Sequence, residues 1–121
     1  MIEGALVWAP ADKVRPAIVL HLDADSALVA FGRGKLDAAR THVAVEHGTR
    51  AAKAMAPYVT KSTYIYAAFV GVVPIDALRR AERGPERAPP DVYFALRSMV
   101  LRRLGDLARL HEAKKVTSDL P

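Results

Sequence analysis

Residues 16–23, PAIVLHLD, set the first limit on the fold. Apolar residues follow one another from Pro16 to Leu20. Such a run fits a strand covered on both faces for part of its length. Its proline has no amide hydrogen and a fixed φ, which suits the first residue of a strand at an edge or rim. The neighbouring segments read the same way. GALVWAP (4–10) is a short strand closed by the turn composition Ala-Pro-Ala-Asp, and Asp23-Ala24-Asp25-Ser26 is a compact turn. ALVAF (27–31) then follows as a hairpin partner, ended by Gly32-Arg33-Gly34. Three strands joined by short links predict an antiparallel meander.

Beyond residue 35 the pattern is mixed. LDAAR (36–40) fits a helical turn, and THVAVEHG (41–48) alternates as a strand ended by glycine. TRAAKAMAPYV (49–59) has helical composition up to Pro57, or else forms an irregular loop. STYIYAAFVGVVP (62–74) is rich in aromatic and β-branched residues and predicts a long strand, with Gly71 marking a bulge or sharp bend. IDALRRAER (75–83) reads as a short helix or helical turn, and GPERAPP (84–90) as a loop. From 90 to 115 the sequence predicts the chain's best helix. Tyr93, Leu96, Val100, Leu104 and Leu107 form one stripe, with Arg97, Arg102, Asp106 and Arg109 on the other side. Gly105 is expected to bend or loosen its last turns, and VTSDLP (116–121) to fray. The fold class expected is α+β: one domain over 1–121, with a small SH3-like antiparallel β-barrel over about 3–74. A C-terminal amphipathic helix in the helical part over about 75–115 closes it.

Composition narrows the function. The chain has no cysteine, which removes disulfide frameworks, thiolate nucleophiles and cysteine-ligated zinc, and fits a cytoplasmic protein. No apolar run approaches the roughly 18 residues of a membrane span, and MIEGALVWAP lacks the regions of a secretory signal. The net charge of +5 favours an acidic partner such as nucleic acid, and is equally compatible with simple solubility.

Arg15 is the first candidate for chemistry. The residue before a proline is pushed into extended backbone, so Arg15 is held at the mouth of the sheet. Its guanidinium is a rigid fork of donors that suits a phosphate, and stays charged at neutral pH. The alternative is a solvated strand end that guards an edge. Gly32-Arg33-Gly34-Lys35 lacks P-loop spacing, and either presents amides and charge to a phosphate or is a plain turn. Thr60-Lys61-Ser62-Thr63 offers hydroxyls and a cation of the kind that contact sugar-phosphate backbones, or forms an ordinary link into the next strand. His21 shares a strand face with Arg15 by alternation, but about 20 Å along the strand separates them at 3.3 Å per residue. His42, Glu46 and His47 lack the further ligands a metal needs, and His111 is structural or exposed. Tyr64 and Tyr66 share a face, as base-stacking platforms or as core.

The order of these features resembles the MazF/PemK family of toxin–antitoxin ribonucleases. The match lies in Gly4-Ala5-Leu6-Val7-Trp8, in Arg15-Pro16-Ala17-Ile18-Val19-Leu20, in the partner strand Ala27 to Phe31, and in the strand, helical turn and terminal helix that follow. The resemblance implies a homodimeric SH3-like barrel that cleaves single-stranded RNA without metal or cofactor. An acidic antitoxin protein would inhibit it. It implies that Arg15 is the catalytic cation; on this reading Lys13, Arg33, Lys35, Lys61, Ser62 and Thr63 are the candidates expected to bind RNA. This sequence departs from the family at three places, one of them the short loop between the first two strands. Gly32-Arg33 stands where a Ser or Thr is usual, and the later strand reads YIYAAFVGVV where polar residues are usual. Two alternatives follow: a divergent enzyme with a rebuilt site, or a catalytically inactive barrel that binds nucleic acid or a protein partner.

Overall fold

A computed structural model describes residues 1–118. The chain is α+β, with one five-stranded antiparallel sheet and one long C-terminal helix. The strands are β1 (Leu6–Pro10), β2 (Val14–Leu22), β3 (Ser26–Arg33), β4 (His42–Val45) and β5 (Thr63–Pro74), with spatial order β1-β2-β3-β5-β4. The first three form the expected meander. The sheet does not close on itself. The outer edge of β1 pairs instead with the segment after β5: Trp8 and Arg79 exchange backbone hydrogen bonds, and Ala5 bridges Arg87.

Both faces of the central strands are buried, as the run from Pro16 to Leu20 requires. On one face Ile18, Leu20, Ala30, Ile65 and Ala67 pack with Met55, Tyr58, Val92, Leu96 and Val100. On the other, Val7, Ala17, Val19, Val29, Phe31 and Val73 pack largely against one another, with Leu78 added. A sheet face that its own strands bury is strongly curled. A register shift between Val19 and His21 helps the curl and turns His21 outward beside Glu3, at 3.3 Å. His21 therefore leaves the face that strict alternation assigns it.

The short elements depart from expectation in instructive ways. Residues 36–40 form turns instead of a helical turn, and β4 covers only 42–45 of the strand expected over 41–48. Helix α1 (Arg50–Ala54) starts where Thr49 Oγ1 accepts from the Ala52 amide, and stops well before Pro57. After β5, the short helix or helical turn expected over 75–83 is a single 3-10 turn (Ile75–Ala77), and residues 79 and 87 bridge to the β1 edge. The irregularity in β5 falls before Gly71, which pairs regularly with Val29. Residues 66–69 stand opposite Phe31 alone. Gly71 is small because a Cβ there would sit 3.2 Å from the Phe31 ring.

Helix α2 (Pro90–Ser118) is 29 residues long, about 43 Å at 1.5 Å per residue, and it passes Gly105 unbroken. Residues 119–121 of the segment expected to fray lie outside the described residues. Among the residues whose side chains are described, the buried part of the helix is its first third: Val92, Leu96 and Val100 are buried. Leu104 and Leu107, placed by their spacing on the buried stripe, are 46% and 47% exposed. Past Val100 the helix draws away from the sheet, leaving a groove of about 510 Å³ between Leu107 and Ala67–Ala68. Among the described residues no helix is long and apolar enough to cross a membrane.

Candidate nucleic-acid interface

Pairing of β2 with β3 sets Ala17 opposite Phe31. Two residues further along each strand stand Arg15 and Arg33, on the same face because side chains alternate. The stretch of β5 opposite Phe31 brings Phe69 over both. The guanidinium carbons of Arg15 and Arg33 lie 5.6 and 5.1 Å from the centre of the Phe69 ring. Phe69 in turn packs on Phe31, with ring centres 4.8 Å apart. One aromatic ring thus carries two cations at the mouth of the curled face.

The two arginines differ in their partners. Arg15 is 8% exposed and its fork is engaged: Nε and Nη2 donate to the two carboxylate oxygens of Asp12, at 2.7 and 2.8 Å. Asp12 lies in the three-residue link between β1 and β2, where the Ala11 amide donates to the Lys13 carbonyl. These hydrogen bonds from Arg15 hold the Asp12 carboxyl far below the usual carboxylate range, and they raise the Arg15 pKa. The pair therefore stays ionised through mild acid. Arg33 is exposed and has no ion pair among the described residues.

Two depressions meet at Arg33. One of about 190 Å³ is lined by Lys13, Arg15, Arg33, Lys61 and Thr63, beside Trp8. The other, of about 610 Å³, is lined by Arg33, Lys35, Arg40, Tyr66 and Phe69. The fold thus brings together Lys13, Arg15, Arg33, Lys61 and Thr63, and joins Lys35 to them through Arg33. Ser62 stands apart, its Oγ accepting from the His47 amide at 2.9 Å. Thr63 is buried, and its hydroxyl donates to the Lys61 carbonyl at 3.0 Å. Gly32 is small for a packing reason. A Cβ there would meet the Thr63 methyl at 2.6 Å and Pro16 Cγ at 3.3 Å.

Tyr66 shapes the larger groove. Its hydroxyl donates to the Lys35 carbonyl at 2.7 Å and accepts from the Asp37 amide at 2.6 Å, pinning the turn that carries Lys35. Asp37 is spent on Arg40, at 3.1 Å. His42 donates from Nδ1 to the Arg40 carbonyl at 2.7 Å and packs against the Tyr64 and Tyr66 rings. The His111 side chain lies outside the described residues. Among the described residues no three acidic or histidine side chains converge to hold a metal ion.

Sequence reasoning passes over three residues of this site: Asp12, Arg40 and Phe69. Asp12 has a readable signal, a carboxylate three residues before an arginine across a tight link. Phe69 has none, because its position depends on where β5 loses register. No protein-family model matches the chain, and no protein of curated function matches it in sequence.

Proposed function

We propose that this protein is a divergent MazF/PemK-like toxin: an SH3-like barrel, homodimeric, acting as a metal-independent endoribonuclease on single-stranded RNA and restrained by an acidic antitoxin. The observation that supports this most is the pair Arg15 and Arg33 on one aromatic ring, with Lys13, Lys35 and Lys61 around it. Adjacent guanidiniums at the end of a curled sheet supply fixed donors for a phosphate and for the charge that grows on it during attack by a ribose 2′-hydroxyl. Phe69 packs against both guanidiniums and helps to hold them in place. The surrounding lysines attract the backbone regardless of base, in a salt-dependent way.

A second reading, RNA binding without turnover, is favoured by the bidentate Asp12–Arg15 pair, which occupies the donors that catalysis needs. One experiment separates the two. Pure protein is mixed with a labelled single-stranded RNA in excess chelator, and cleavage and retention are measured across a salt series. The toxin reading expects cut RNA, with cutting abolished in Arg15→Gln while the thermal melt of the variant stays cooperative. Retention of intact RNA decides for the second reading. RNA neither bound nor cut at low salt overturns both.

A further inference from the structure

We infer that Asp12 is a built-in competitor for the phosphate site: its carboxylate occupies the Arg15 fork as a stand-in for the ligand and must be displaced before a phosphate can bind. This rests on the proposed RNA-directed function and adds its regulation.

Three observations carry it. First, the geometry is that of an arginine holding a planar two-oxygen anion, with parallel bonds of 2.7 and 2.8 Å. A phosphate presenting two oxygens satisfies the same two donors. Second, the pair is asymmetric in exposure. The Arg15 side chain is 9% exposed and that of Asp12 is 61% exposed. The occupant of the fork can swing into water, whereas the fork itself is fixed by Phe69 and the strand. Third, a neighbour of Arg15 with no ion pair among the described residues, Arg33, stands over the same ring. A phosphate held first by Arg33 lies beside the fork and competes with Asp12 for it. Two cations on neighbouring strands repel each other, so one internal carboxylate also quiets the site when no ligand is bound. The carboxyl stays ionised through mild acid, so a competing anion opens the fork and acidification does not.

The test uses the full chain, with single-stranded RNA and inorganic phosphate as separate probes. Asp12→Asn keeps the size of the side chain and removes its charge. The affinity for RNA should then rise about tenfold, the worth of one charge-assisted hydrogen bond. The gain should vanish when Arg15→Gln is added. If Asp12→Asn fails to fold, the wild-type protein still decides, because the Arg15 Nε–H resonance must shift as RNA or phosphate is titrated in. Equal RNA affinity in wild type and Asp12→Asn, or an unmoved Arg15 resonance at saturation, overturns the inference and leaves RNA binding standing. Phosphate captured by Asp12→Asn, with no RNA bound by either protein, supports the competitor role while the RNA function fails. Neither probe bound by either protein overturns both.

Discussion

Replacing Phe69 by leucine tests the platform on which the site rests. Leucine keeps much of the apolar bulk beside Phe31 and removes the aromatic face under Arg15 and Arg33. Each cation–ring contact at a site of this exposure is worth about 0.5–1 kcal/mol. The Phe31–Phe69 pair adds about 0.5–1.5 kcal/mol beyond its burial. Together these terms give an expected destabilisation of about 2 kcal/mol, a large share of a typical 5–15 kcal/mol stability. For a chain of this length that lowers the melting temperature by about 8 °C. Urea unfolding followed by the fluorescence of Trp8, the single tryptophan, gives the midpoint and the slope. The Arg33→Gln single variant relieves repulsion while losing its ring contact, so it is close to neutral by itself. The informative quantity is the coupling between Phe69→Leu and Arg33→Gln in a double-mutant cycle, expected at about 0.5–1 kcal/mol. A loss under about 0.3 kcal/mol for Phe69→Leu, or no coupling above the roughly 0.3 kcal/mol of ordinary additivity, refutes the platform.

Two further substitutions probe the groove wall and the helix. Tyr66→Phe leaves the Lys35 carbonyl and the Asp37 amide without their shared partner. It should cost about 1–3 kcal/mol and raise amide hydrogen exchange across residues 35–37; exchange unchanged from wild type counts against the pinning role. Leu96→Ala empties a fully buried position and should cost about 3–5 kcal/mol, whereas Leu107→Ala, at a half-exposed position, should stay within about 0.5 kcal/mol of wild type in chemical denaturation. Equal losses at the two positions would mean that the outer part of α2 is packed after all.

Where sequence reasoning fails here, it fails through register. From strict alternation His21 shares a face with Arg15, yet one bulge at Leu20 turns it out to Glu3. Gly71 reads as the bend of the long strand, but the bend is at residues 66–69 and the glycine instead clears room for Phe31. The heptad-like spacing of α2 places Leu104 and Leu107 in the core. Periodicity shows which residues share a helix face and says nothing of how far the sheet extends beneath it.

The sequence alone determined the α+β class, the opening meander, the long fifth strand and the start of the terminal helix, because alternation, proline and turn residues act locally. It also singled out Arg15, since a proline at 16 restrains its backbone whatever surrounds it. What only the tertiary structure decided is the company that arginine keeps. Arg33 reaches it through the β2–β3 register, Phe69 through the slip in β5, and Asp12 through the tight β1–β2 link. Each of those contacts depends on strands finding one particular alignment, a choice made by the packing of both sheet faces together.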